Sequence, residues 1–91
     1  MTTYIIGYDL HPSKGETYED LIEAIKGVGS TWWHHLDSTW VVVTDKTAAQ
    51  LRDELKPYLK SDDQLLVVKS GGEAAWTGFN DKGSKWLKDN L

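Results

Sequence analysis

The sequence predicts one small domain of the α+β class, in which helices cover one face of an antiparallel sheet. Two observations carry this prediction. Runs rich in β-branched and aromatic residues alternate with segments whose apolar residues recur at helical spacing, in the order β-α-β-β-α-β. The chain of 91 residues falls within the usual size of one domain and contains no internal repeat or interdomain linker. We therefore treat residues 1–91 as a single domain.

The first strand is predicted over residues 3–10, where β-branched and aromatic side chains precede a loop at residues 11–15. Side chains alternate across a strand, so Asp9 shares one face with Ile5 and Gly7. The opposite face carries Tyr4, Ile6, Tyr8 and Leu10. Asp9 therefore ends the strand on the face where Gly7, which has no side chain, leaves an open patch beside it.

The first helix is predicted from Tyr18 onward, because apolar residues recur there at helical spacing. These residues are Tyr18, Leu21, Ile22, Ile25 and Val28. Thr17 is the predicted N-cap, with Asp20 three residues later. Gly27 and Gly29 close the helix as expected of a C-terminus.

The aromatic and β-branched run over residues 31–44 predicts two further strands. The run divides at Asp37 and Ser38, which gives strands at 31–36 and 39–44 joined by a tight hairpin. A single long bulged strand is the competing interpretation.

A second helix and a fourth strand complete the predicted unit. Thr47 and Gln50 form a capping box, and an apolar stripe follows it. Pro57 weakens the last turn because it removes a backbone donor. Residues 64–70 then predict the fourth strand. This order is that of the ferredoxin-like arrangement, with helices on one face of the sheet and the other face open.

Two more elements are predicted after the fourth strand. Residues 74–79 predict a short fifth strand. A C-terminal helix is predicted from about Asn80, and it carries Trp86, Leu87 and Leu91.

The composition narrows the classes of function. Cysteine is absent, which excludes disulfides, thiolate metal sites and thiol nucleophiles. The net charge is −4, with Arg52 as the single arginine, so the basic footprint of phosphate-backbone binding is missing. Lys82, Lys85 and Lys88 form the only local basic group, at the spacing of a solvated helix face. No targeting or membrane-spanning segment is predicted, so we expect a cytoplasmic protein without a membrane partner.

Asp9 is the main candidate site residue. Carboxylates are uncommon inside sheets, and strand ends beside loops display site residues on a rigid support. The alternative is that Asp9 caps the following loop by accepting hydrogen bonds from neighbouring backbone amides.

The two adjacent histidines are weaker candidates. His34 and His35 are neighbours in a predicted strand and so point to opposite faces, which prevents them from binding one metal together. His35 shares its face with Asp37, and such a pair can carry a proton in acid and base catalysis or contribute to a metal site. A satisfied polar residue on a half-exposed sheet is the alternative.

Five tryptophans in so short a chain suggest base stacking. Trp32, Trp33 and Trp40 are the candidate ligand-binding residues. The alternative is that these side chains build the core and a dimer interface.

The residues considered so far suggest a family. The first strand that ends at Tyr8 and Asp9, the helix that closes at Gly27, the paired strands around residues 37–42 and the segment 62–68 resemble the small CRISPR-adaptation endonuclease-like (Cas-two) superfamily. Within it, the chain is similar to the short bacterial and phage proteins labelled SinR-like. The resemblance spans residues 4–79 and implies a ferredoxin-like fold and a symmetric homodimer. It also implies that Asp9 binds magnesium or manganese and takes part in metal-dependent phosphodiesterase or nuclease chemistry.

One feature departs from the family pattern. Residues 10–20 lack the arginine or lysine cluster that the family carries after its aspartate, and Lys14 is the only such residue there.

Three hypotheses about function follow from the sequence. The first is a Cas-two-like dimer of nucleic-acid metabolism or of conflict between phage and prokaryote. The second is a non-catalytic dimer that captures a small nucleotide-type ligand. The third is a protein-interaction or inhibitor module whose acidic surface mimics nucleic acid.

Overall fold

The computed structural model describes residues 1–13, 15 and 17–91, which form a four-stranded antiparallel sheet and three α-helices. The strands lie in the order β2-β3-β1-β4. The strands are β1 (Thr2–Asp9), β2 (Thr31–Leu36), β3 (Thr39–Thr44) and β4 (Gln64–Lys69). The helices are α1 (Glu19–Gly27), α2 (Ala48–Leu55) and α3 (Asp81–Asn90), and a 3₁₀ turn (Lys56–Tyr58) follows α2. The predicted α+β class is confirmed.

The main core lies between one face of the sheet and helices α1 and α2. Ile6 on β1 is 0% exposed and Trp40 on β3 is 1% exposed, and both belong to one buried cluster with Leu21 of α1 and Leu51 of α2. Tyr4, Tyr8 and Leu10 contact the same cluster. The alternation predicted for the first strand is thus confirmed, because its even-numbered residues face the helices.

The face of the sheet opposite helices α1 and α2 was expected to stay open. This expectation is wrong for the half that β2 and β3 form. Helix α3 packs on the side of β2 and β3, where Leu87 joins Trp33 and Val41 in a second buried cluster. The indole N–H of Trp33 donates to the backbone carbonyl of Gly83 at 3.2 Å. The other half, formed by β1 and β4, leaves Leu66 65% exposed.

The predicted fifth strand at residues 74–79 is wrong. None of these residues belongs to a strand among the parts of the chain that the structure describes. Gly72, two residues before this stretch, and Gly78, within it, have φ angles of 87° and 92°, which interrupt an extended backbone. Phe79 turns into the second cluster, where its ring meets that of Trp33 edge-on at 4.9 Å. Of the apolar residues that suggested a strand, Phe79 therefore packs beside α3, whereas Ala74, Ala75 and Trp76 are exposed.

The ends of the helices agree with the sequence in one case and differ in another. The capping box of α2 is formed, since the Thr47 side chain accepts from Gln50 N–H at 3.2 Å and the Gln50 side chain accepts from Thr47 N–H at 2.8 Å. At α1 the predicted cap Thr17 is wrong. Tyr18 is the N-cap, with a left-handed φ of 57° and no side-chain cap. Pro57 falls in the 3₁₀ turn that follows α2, as its missing donor requires.

The hairpin between β2 and β3 is confirmed, and the single long strand is excluded. The two strands pair from Thr31 with Val43 to Leu36 with Thr39. Between Trp33 and Leu36 the register shifts, so β2 carries one extra residue there. This irregularity lies in the edge strand, where bulges are common.

Candidate functional site

Asp9 is the last residue of β1, and its side chain is 71% exposed. Its Oδ2 atom lies 3.8 Å from Nε2 of His11, whose side chain is 51% exposed. Across the sheet Asp9 pairs with Gln64 of β4. The carboxylate is therefore held by the backbone of a central strand while its oxygen atoms remain open to solvent.

The alternative role for Asp9, as a cap of the following loop, belongs to another residue. Asp63 accepts a hydrogen bond from the backbone N–H of His11 at 2.8 Å and from that of Lys60 at 2.9 Å. It also accepts from the hydroxyl of Tyr18 at 2.9 and 2.8 Å. Asp9 accepts no backbone N–H within the described residues. Asp63 thus ties the loop after Asp9 to the loop before β4.

The environment of Asp63 lowers the pKa of its carboxyl group. Partial removal from water would raise this pKa, but the opposing interactions outweigh it. These are the hydrogen bonds from the amides of Lys60 and His11, the bond from the Tyr18 hydroxyl, and the positive charge of Lys60. Asp63 is therefore an ionised clamp, and sequence reasoning missed it because two of its partners, Tyr18 and His11, lie 45 and 52 residues away.

Gly7 opens a shallow groove of about 240 Å³ beside Asp9. A Cβ atom built on Gly7 would meet no atom within 4 Å. Leu66 and Gln64 of β4 form the far wall of the groove. The open patch that the sequence predicted at Gly7 is present, and it continues along β4 to Val68, which is 43% exposed.

His34 and His35 point to opposite faces, as predicted. The ring of His34 stacks on Trp40, with centroids 3.8 Å apart and an interplanar angle of 13°. The ring of His35 lies on the α3 side, 5.0 Å from that of Trp33. Among the described residues no ion pair joins His35 to Asp37, whose carbonyl oxygen instead lies 3.4 Å from Nε2 of His34.

The three candidate tryptophans differ in accessibility. Trp33 is 4% exposed and Trp40 is 1% exposed, and each belongs to a buried cluster. Trp32 is 42% exposed, and Nζ of Lys26 lies 5.4 Å from its ring centroid. Only Trp32 of these three therefore presents a large free ring surface in the single chain.

A second cavity, of about 300 Å³, lies at the edge of β2 beside α3. Trp32 and Trp33 line it together with both histidines, and α3 contributes Lys82, Gly83 and Trp86. Sequence reasoning missed the α3 residues because the contact depends on how this helix returns to the sheet.

No cluster of three or more histidine, aspartate or glutamate side chains suited to a metal ion occurs within residues 1–13, 15 and 17–91. Lys14, the basic residue noted after Asp9, lies outside the described residues. None of the helices in the described part of the chain has the length and apolar character needed to cross a bilayer.

Comparison with known proteins adds no assignment. Neither the scan against protein-family models nor the search of curated proteins finds a match to this sequence.

Proposed function

We propose that the protein is a Cas-two-like homodimer of nucleic-acid metabolism that cleaves phosphodiesters with a divalent cation at Asp9. One observation carries the proposal. Asp9 is an exposed carboxylate at the rim of the half of the sheet face opposite α1 and α2 that β1 and β4 form, which no element of the described residues covers. A second copy on that face would bring two such carboxylates into one cleft.

The proposal includes a ferredoxin-like arrangement of the strands and helices. Its support is the strand order, in which β3 lies between β1 and β2 while β1 lies between β3 and β4. The unit β1-α1-β2 therefore has β3 between its two strands, and the unit β3-α2-β4 has β1 between its two strands. This is the arrangement of the split βαβ motif.

The dimer is supported by the chemistry of the open face. Leu66 and Val68 are exposed beside Ile5 and Gly7, and β4 is an edge strand with one unpaired side. Exposed apolar patches and long free edges are uncommon on monomers, because both favour association. A chain of 91 residues also gains stability from added burial.

The residues near Asp9 fit a loosely held hard cation only when two copies combine. Each chain supplies the carboxylate of Asp9 and the imidazole of His11, 3.8 Å apart. Magnesium is commonly bound by one or two carboxylates, with waters and substrate phosphates as its other ligands. When bound, such a cation polarises a phosphoryl oxygen and activates water. The clamp at Asp63 orders the backbone of His11 and so holds this imidazole near Asp9.

The test is cleavage of single-stranded and double-stranded RNA and DNA by the purified protein with magnesium or manganese. We expect Asp9→Asn to reduce the rate at least about 100-fold, because the variant loses the charge that binds the cation. Asp45→Asn, which alters an exposed aspartate in the turn after β3, is the matched control and should retain full activity. Cleavage that survives Asp9→Asn, or a wild-type protein inactive on every substrate with both metals, would contradict the proposal.

A further inference from the structure

The cavity at the edge of β2 has rigid aromatic walls. The indole N–H of Trp33 donates to the Gly83 carbonyl at 3.2 Å, and that of Trp86 donates to Oγ1 of Thr31 at 3.0 Å. Both rings are thereby fixed in orientation with their polar atoms satisfied. Trp33 is 4% exposed, so the free ring surface of the cavity comes from Trp32, which is 42% exposed, and from the half-buried Trp86. Such apolar ring surface binds other planar groups.

Gly83 is the residue that lets α3 approach the strand. A glycine inside a helix costs about 1 kcal/mol relative to alanine, so its presence there calls for a reason. A Cβ atom at this position would lie 3.2 Å from Oδ1 of Asn80 and 3.4 Å from Nε2 of His35. Glycine thus avoids crowding the Asn80 side chain, and a methyl group here would only touch the His35 ring at ordinary contact distance.

None of the described residues that line the cavity carries a carboxylate, although the net charge of the chain is −4. Lys82 and His35 line it, and neither makes an ion pair or hydrogen bond with any residue that the structure describes. Lys46 and Lys85, by contrast, are paired with Glu54 and Asp89. Lys82 therefore offers the cavity a cationic donor, and His35 offers an imidazole, without a partner among the described residues.

We infer that this cavity binds a small aromatic anion of the nucleoside monophosphate type. The base would stack on the indole and imidazole rings, a contact worth about 1–3 kcal/mol per base. The phosphate would meet Lys82 and His35. The volume of about 300 Å³ is at the lower end for ligand sites, which suits one nucleotide. The site lies on the edge strand β2, away from Asp9, and does not depend on the activity proposed for Asp9.

The first experiment is a titration with adenosine monophosphate, followed through the indole N–H signals in two-dimensional NMR spectra. The signals of Trp33 and Trp86 should shift with increasing ligand. The signal of Trp76, which does not line the cavity, serves as the internal control and should stay in place. Absence of any shift up to roughly 10 mM ligand, a weaker affinity than the contacts above predict, overturns the inference.

The second experiment separates the phosphate contact from the stacking. Lys82→Ala should weaken binding about tenfold, since it removes a charge-assisted contact. Lys88→Ala removes an exposed lysine of the same helix that does not line the cavity, and it should leave the affinity unchanged. Adenosine should bind about tenfold more weakly than its monophosphate. Equal affinity of the wild type and Lys82→Ala, or of adenosine and its monophosphate, refutes the assigned site.

Discussion

Leu66→Asp tests whether the open face of β1 and β4 joins two copies of the chain. Leu66 is 65% exposed, so an aspartate at this position leaves the core of the single chain intact. Any large effect of the substitution must therefore come from a contact with another molecule. In a dimer that buries this face, the variant would set one carboxylate from each copy into an apolar interface.

The exposed fractions of the side chains give the expected size of the effect. Full burial of a leucine or valine side chain contributes about 1.5–3 kcal/mol. With Leu66 65% exposed and Val68 43% exposed, about 3–6 kcal/mol remains to be gained when both copies bury these side chains. Loss of Leu66 from both copies removes about 2–4 kcal/mol of this, which is roughly a 30- to 1000-fold increase in the dissociation constant.

The assay is sedimentation equilibrium of the wild type and the variant over a range of concentrations. The matched control is Leu36→Asp, which makes the same change at a leucine that is 46% exposed on the opposite edge strand. Only Leu66→Asp should shift the equilibrium toward monomer. A wild type that is monomeric at all concentrations, or equal dissociation of both variants, would refute the reasoning.

The remaining predictions concern stability. Gly29→Ala should lower the free energy of unfolding by about 1–3 kcal/mol or more in urea titrations, because its Cβ would overlap the carbonyl oxygen of Val43 and lie 3.0 Å from the carbonyl carbon. Gly27→Ala, with no atom within 4 Å of the new Cβ, should be neutral or stabilising, and equal destabilisation by both would contradict the packing. Asp63 has a lowered pKa in the folded chain, so its contribution to stability is complete above its unfolded-state pKa and is lost as the pH falls through the folded-state pKa. Urea midpoints of Asp63→Asn should therefore lie below those of the wild type at neutral pH and converge with them in acid; a constant difference at all pH values argues against the clamp.

Features that depend on near neighbours in the chain could be read from the sequence. The alternation along β1, the capping box of Thr47 and Gln50, and the opposite orientation of His34 and His35 each arise within a few residues. They follow from backbone geometry, which has a fixed period in strands and helices. The position of Asp9 at the end of a strand could be predicted for the same reason.

Features that depend on distant partners could not be read in this way. Asp63 clamps the loop at His11 across 52 residues, and Trp33 bonds to Gly83 across 50. Residues 74–79 had the composition of a strand, yet Phe79 is used for packing on Trp33. Composition indicates which side chains seek burial, but the partner that buries them is chosen by the whole fold.

The sequence by itself determined the order of the elements from β1 to β4, the helix-facing side of β1 and the position of Asp9 on the opposite side. Only the tertiary structure decided which part of that opposite side is free. Helix α3 covers β2 and β3 because Leu87 finds a buried partner in Trp33 there, and it leaves Leu66 beside Asp9 in solvent. The physical reason is that local periodicity sets the direction of each side chain, whereas its burial depends on surfaces that meet only after the chain has folded.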